Sequence, residues 1–170
     1  MDVAAIEQAL IDRLSPLRQA GLLVRALPNQ SGETGKIEGN GAITLSWALD
    51  EATAPSSMGF FTQDCLMSWV LDIRLRNLRE EAGAWEIRKA IYGLLVGFQP
   101  PGCKKMYARR FEFVDRTDAV WVFQATFIVP TVLMEVGQPD EELPLLKDIF
   151  LADETVNGVE VAETYPLIDT

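Results

Sequence analysis

The chain has 170 residues, 48% hydrophobic and 24% charged, a balance that suits one globular domain with a sizeable core and excludes wholesale disorder. Its net charge of −10 is uneven, because Glu135 to Thr170 hold ten acids and one base, −9 together, while the first 134 residues sum to −1. A chain with no basic footprint over its body is a poor sequence-specific nucleic-acid binder.

Val3, Ile6, Leu10, Leu14 and Leu17 recur at steps of three and four, which predicts an amphipathic helix ending between Pro16 and Gly21. The N-terminus lacks the basic start and continuous apolar run of a signal peptide. Leu22 to Leu27 read as a strand stopped by Pro28, and Pro28 to Gly41 as a Gly- and Asn-rich loop. A second strand is expected over Ala42 to Leu49, followed by a second long loop, Asp50 to Asp64. In "CLMSWVLDIRLR", Cys65, Met67, Trp69, Leu71, Ile73 and Leu75 alternate with more polar residues, so this strand has one core-facing side. "NLREEAGAWEIRKAIYGLLVGF" carries a second helical stripe: Ala84 or Trp85, then Ile87, Ile91, Leu94 and Phe98. Glu80 and Glu81 are expected to open that helix, where acids suit the positive end of its dipole. After "QPPG", strands over Lys104 to Val114 and Ala119 to Val129 are joined by "DRTD" as a hairpin, with Trp121, Phe123, Ala125, Phe127 and Val129 on its apolar side. The run Ala119 to Met134 is too short and too interrupted to span a bilayer, so no membrane association is expected and the chain reads as soluble.

This order predicts an α+β domain over residues 1–134, a largely antiparallel β-sheet covered by two helices. Residues 135–170 read as an acidic C-terminal extension. Asn157-Gly158, flanked by Val156, Val159 and Val161, signals a short hairpin there. A lone two-stranded hairpin is marginal in water, so it is expected to pack on its own body or dock on a neighbour.

Catalytic chemistry is hard to find. The sequence has no histidine, which removes the commonest general base and zinc ligand. Cys65 and Cys103 have neither metal spacing nor a His partner and read as buried thiols. "SGETGK", Ser31 to Lys36, lacks the context of a phosphate loop. The expectation is a protein that is not an enzyme and takes no metal or cofactor. Three features are candidates for interaction instead. Lys104, Lys105, Arg109 and Arg110 cluster at the start of one strand, with Arg109 and Arg110 expected on opposite sides. Met58, Phe60 and Phe61 sit in a Gly/Ser loop as core flap or exposed anchor. Arg74, Arg76 and Arg79 lie at and beyond the end of the clearest strand, as solvated face or interface rim.

Three pieces carry a family resemblance: Trp69 in a strand that ends in Arg74 and Arg76; the helix exit Leu94, Gly97, Phe98, Pro101, Gly102; and the Trp121-Val122-Phe123 strand ending near Phe127. Over about Ile6 to Val129 the chain resembles the tail terminator, or tail completion, proteins of Mu-like contractile-tailed phages, which are related to the lambda U-type terminators. The resemblance implies a homo-hexameric ring that caps the head-proximal end of the tail tube. Such a ring ends tube and sheath polymerisation and offers a surface to neck or head-completion proteins, in the virion and, during assembly, in the host cytoplasm. DNA would only pass through its channel, whose near-neutral or acidic lining would not hold phosphates. The competing expectation is a monomeric binding module or adaptor that uses the loops over residues 28–41 and 50–64.

Overall fold

The computed structural model describes residues 2–28, 39–55, 61–79, 83–117 and 119–134. The chain divides into two compact units, Met1–Glu135 and Val136–Thr170, and all described residues lie in the first. The hairpin expected at Asn157-Gly158 lies outside them, as do Met58, Phe60, Glu80 and Glu81.

Helix α1 spans Val3–Leu14. Asp2 caps it, its Oδ1 accepting a hydrogen bond from the Ala5 N–H at 3.1 Å, which satisfies one of the orphan donors of the first turn. Ile6, Leu10, Ile11 and Leu14 are its buried side. A 3₁₀ helix, Ser15–Ala20, follows, with Pro16 in its first turn, where a missing N–H costs nothing. Gly21, at φ 76°, ends it in the left-handed region and turns the chain into the sheet.

Five strands form that sheet: β1 Leu22–Ala26, β2 Gly41–Ala52, β3 Thr62–Leu75, β4 Tyr107–Thr117 and β5 Val120–Met134. Their order is β1-β2-β3-β5-β4. Only β1 runs parallel to its neighbour, with Leu22 opposite Gly41; the other three pairings are antiparallel. The sheet is therefore largely antiparallel, and with helix α2, Ala84–Leu95, between β3 and β4 the domain is α+β.

Residues directly opposite each other across a ladder share a face. The face carrying Leu22, Val24, Ile43, Leu45, Met67, Trp69, Leu71, Ile73, Ala125 and Phe127 holds the core, all of them buried together with the apolar sides of α1 and α2. The alternation read over Cys65 to Leu75 is present in full: each of the six apolar residues is at most 1% exposed. Trp69 and Phe127, opposite each other in β3 and β5, are the largest fully buried side chains.

The helix exit is packing and turn chemistry. Ala84, Ile87, Ile91 and Leu95 are the buried residues of α2. Leu95 takes the place expected of Leu94, which is half-buried, and Trp85 is 63% exposed. From Ile91, four residues of helix turn the side chain about 40° from its starting direction and three turn it about 60°, so Leu95 points more directly at the sheet. Gly97 (φ 80°) and Phe98 then bond to Met106 through Gly97 N–H to Met106 O at 2.9 Å and Met106 N–H to Phe98 O at 2.8 Å. Pro100 to Cys103 close a turn with a 3.1 Å bond, and Gly102 supplies its positive φ of 69°.

Several boundaries move. β2 continues through Asp50 and Glu51 to Ala52, and β3 starts at Thr62, so the expected loop over 50–64 contracts to 53–61. β4 starts at Tyr107 rather than Lys104 and reaches Thr117, and β5 extends to Met134. The hairpin expected at "DRTD" closes one step later, with Thr117 opposite Val120 and Ala119 at φ 66°. Polar residues at strand ends carry no periodic signal, and pairing with a neighbour extends them anyway.

Candidate functional site

The sheet face away from the helices carries the surface features. Register places Leu49 opposite Ser68, Leu66 opposite Pro130, and Ile128 between Ser68 and Tyr107. Val132 lies opposite Asp64, and Met134 opposite Thr62. One end of this face is thus an apolar belt across four strands. Leu49, Tyr107, Val132 and Met134 are its exposed members, Met134 at 73%, and Phe61, just before β3, is exposed beside them. Toward the other end the same face turns polar, with Thr44, Asp72 and Gln124 in one row and Ala42, Arg74 and Val122 in the next.

The expected cations divide between the two ends of β3. Lys104 lies at the belt end: its N–H bonds to the Pro130 carbonyl at 2.8 Å and its Nζ pairs with Asp64 at 3.0 Å. Lys105 is exposed next to it. Arg109 and Arg110 do not alternate as expected. A bulge between Ala108 and Arg110 takes Arg109 out of register. Its guanidinium lies 3.8 Å from Glu51, which is opposite Leu66 on the face away from the helices; Arg110, opposite Thr126, is on that face too and pairs with Glu112. The bulge therefore brings together two arginines that strict period-two alternation separates. Arg74 is half-buried within β3, and the Arg76 N–H donates to the Asn40 carbonyl at 3.2 Å. The Arg79 guanidinium lies 5.4 Å from the ring centre of Trp85, so that pair is a cation–π contact on the surface.

Asp64, Glu51 and Tyr107 were not singled out in the sequence. The two acids fell in an expected loop, and the residues two steps from Tyr107 along the chain, Lys105 and Arg109, are charged. Only the cross-strand register shows that they border the belt.

Elsewhere, a groove of about 630 Å³ lies between the 3₁₀ helix and α2, lined by Leu17, Ala20, Asn40, Glu86, Ile87 and Ala90. Cys65 and Cys103 are buried free thiols. Burial pushes both thiols above the ordinary range; the Asp50 carboxylate adds to the effect at Cys65. A raised thiol stays protonated and is a weak nucleophile. Among the described residues no group of three or more Cys, Asp or Glu is placed to hold a metal ion. None of the described helices is long and apolar enough to cross a membrane.

No curated protein matches the chain. Among solved structures, it is similar to a chain of the structure titled "Virion of native gene transfer agent (GTA) particle". Identity is 13% and the TM-score 0.51, over 75% of this chain and 94% of that one, which is a likeness of fold. A family model described as "Gp37 protein" matches residues 10–151.

Proposed function

The chain belongs to the Gp37 protein family, and from that premise we propose that it is a virion structural protein, a tail terminator. In this reading it assembles as a homo-hexameric ring on the head-proximal end of a phage-type tail tube, stops tube and sheath growth and meets a neck protein. It works by contact and not by catalysis. The observation that carries the virion role is the fold likeness to a chain of a gene transfer agent virion, which spans 94% of that chain. The ring and its place on the tube rest on the resemblance of the Trp69 strand, the Gly97 to Gly102 helix exit and the Trp121 strand to tail terminators. An exposed apolar belt bordered by exposed ion pairs suits a protein that assembles with others.

Electron microscopy of the purified chain, alone and mixed with growing tail tubes, tests the proposal. The expected images show closed hexameric rings, or a cap at one tube end together with tubes of arrested length. Tubes that keep elongating uncapped in an excess of folded protein would overturn it.

A further inference from the structure

We propose that the chain binds a second copy of itself head to tail: an aromatic–arginine shelf on β4 and β5 of one copy receives the exposed end of β2 of the next. The inference rests on the proposed ring and names the contact that closes it.

The shelf lies on the helix side of the sheet. Phe113 is opposite Phe123, and Phe123 is opposite Ile73, so all three belong to the face that holds the core. Phe123 and Ile73 are buried, yet Phe113 is 53% exposed, so the helices leave this part of β4 uncovered. Ring contacts run outward from it. Phe113 meets Trp121 at 6.0 Å between ring centres and Phe123 at 5.6 Å. Phe123 meets Phe111 at 5.7 Å, and Phe111 meets Tyr92 of α2 at 6.2 Å. A guanidinium stands at each end of the row: Arg116 is 4.8 Å from the Trp121 ring centre, and Arg88 is 4.8 Å from that of Tyr92. Stacking on a ring holds the guanidinium plane and leaves its N–H fork for an acid. A row of rings between two such cations calls for an occupant that is apolar and acidic at once.

The end of β2 has that character. β1 stops at Ala26, opposite Leu45, and among the described strands β2 is the sheet edge beyond that point. Burial changes there, from five buried residues, Gly41 to Leu45, to six exposed ones, Trp47 to Ala52. The bulge after Trp47 puts Trp47 and Asp50 on the helix side, opposite the buried Trp69 and Met67. The Trp47 Nε1–H donates to Asp50 Oδ1 at 2.8 Å, which holds the carboxylate beside an indole that is 49% exposed. Asp50 and Glu51 are adjacent, and Ser46 to Ala52 include no base.

The placement of the two patches selects a second copy. Both are on the helix side, toward opposite edges of a sheet ordered β1-β2-β3-β5-β4, with β3, β5 and the helices between them. Copies that all face the same way can join them in series, and a head-to-tail contact of this kind closes into a ring. Phe113 is level with Ile73 of β3, whereas Trp47 and Asp50 are level with Trp69 and Met67, four and six residues earlier. The offset is about 13–20 Å along the strands, against about 19 Å for the four strand spacings from one β2 to the next. Strands would then tilt by about 35–45° from the ring axis, the tilt at which sheets close on themselves.

The test mixes full-length copies of reversed charge. Asp50→Arg spoils the β2 patch and keeps the shelf; Arg88→Glu with Arg116→Glu spoils the shelf and keeps the patch. Each alone is expected to associate at least about tenfold more weakly than the wild type, in sedimentation velocity and on tail tubes, because like charges then meet. An equimolar mixture is expected to recover association, since copies that alternate around a six-membered ring set acid against base at every contact. Differently tagged Trp47→Cys and Phe113→Cys copies, mildly oxidised, should form a disulfide joining the tags, with the buried Cys65 and Cys103 as internal control. Circular dichroism confirms that each variant is folded. Undiminished association of either charge variant overturns the proposal, as does a mixture that fails to recover or a disulfide that never joins two copies. Protection of Phe113→Cys from alkylation only when tail-tube protein or DNA is added also overturns it, because another molecule then owns the shelf. Tube caps formed by either variant alone sink this contact and leave the terminator reading standing; recovered association that never caps a tube does the reverse.

Discussion

Three glycines separate effects that one substitution usually mixes. At Gly41 a Cβ would overlap the Arg74 carbonyl oxygen and come within 2.8 Å of Leu75 Cδ2, both in the sheet. Gly41→Ala should cost about 1–3 kcal/mol through overpacking. Around Gly97 there is open space, but φ is 80°. Gly97→Ala should therefore cost about 1–2 kcal/mol from backbone strain alone. Gly93 sits exposed inside α2 with nothing within 4 Å of a Cβ, so Gly93→Ala should stabilise by about 0.4–1 kcal/mol. Urea midpoints measured at constant slope should rise for Gly93→Ala and fall for the other two, and any other pattern of signs removes this account. The thiols give a pH expectation. Their folded-state pKa values lie above the unfolded value, so the stability they contribute is fully present below about 8.5, the ordinary thiol range. It is lost as pH rises through the raised values. Urea titrations from pH 7 to 10 should show stability falling above about 8.5, and Cys65→Ala should flatten that fall.

At the scale of elements, α2 and β3 show what a sequence can and cannot tell. β3 was legible because both its neighbours are strands and one of its faces holds the core; a period of two is all that such a site demands. In α2 the stripe was read correctly to Ile91 and then lost, because Leu94 and Leu95 are adjacent and both apolar. The structure separates them, and so should mutation. Ile91→Ala and Leu95→Ala, at fully buried positions, should each cost about 2–5 kcal/mol, and Leu94→Ala distinctly less. Equal costs at Leu94 and Leu95 in chemical denaturation would contradict the packing described. The ends of β2 and β4 were illegible for another reason. Asp50, Glu51 and Arg109 are placed by pairing and by a bulge, and neither leaves a local mark. The basic cluster was thus visible as composition, while its acidic partners and its common face emerged only from the register.

For the molecule as a whole, the distinction between stability and assembly matters most. Lys104 and Asp64 are both mostly exposed, at 60% and 61%. Lys104→Ala should change thermal stability by less than about 1 kcal/mol. If Lys104 meets acids of another copy, the same substitution should still weaken self-association in sedimentation experiments. A fall in thermal stability large enough to account for that weakening would return Lys104 to a purely internal role. The sheet's topology also bears on how the chain is made. β3 and β5 are the central pair, with Thr62 opposite Met134 and Leu75 opposite Trp121. During translation, β3 is complete about sixty residues before the end of its partner is made, an interval of about 3–12 s at 5–20 residues per second. Throughout that interval one edge of the central strand is open to every other nascent chain on the same message. A protein produced in many copies at once would then need chaperone cover for that window, and slower decoding between codons 75 and 134 should raise its insoluble fraction.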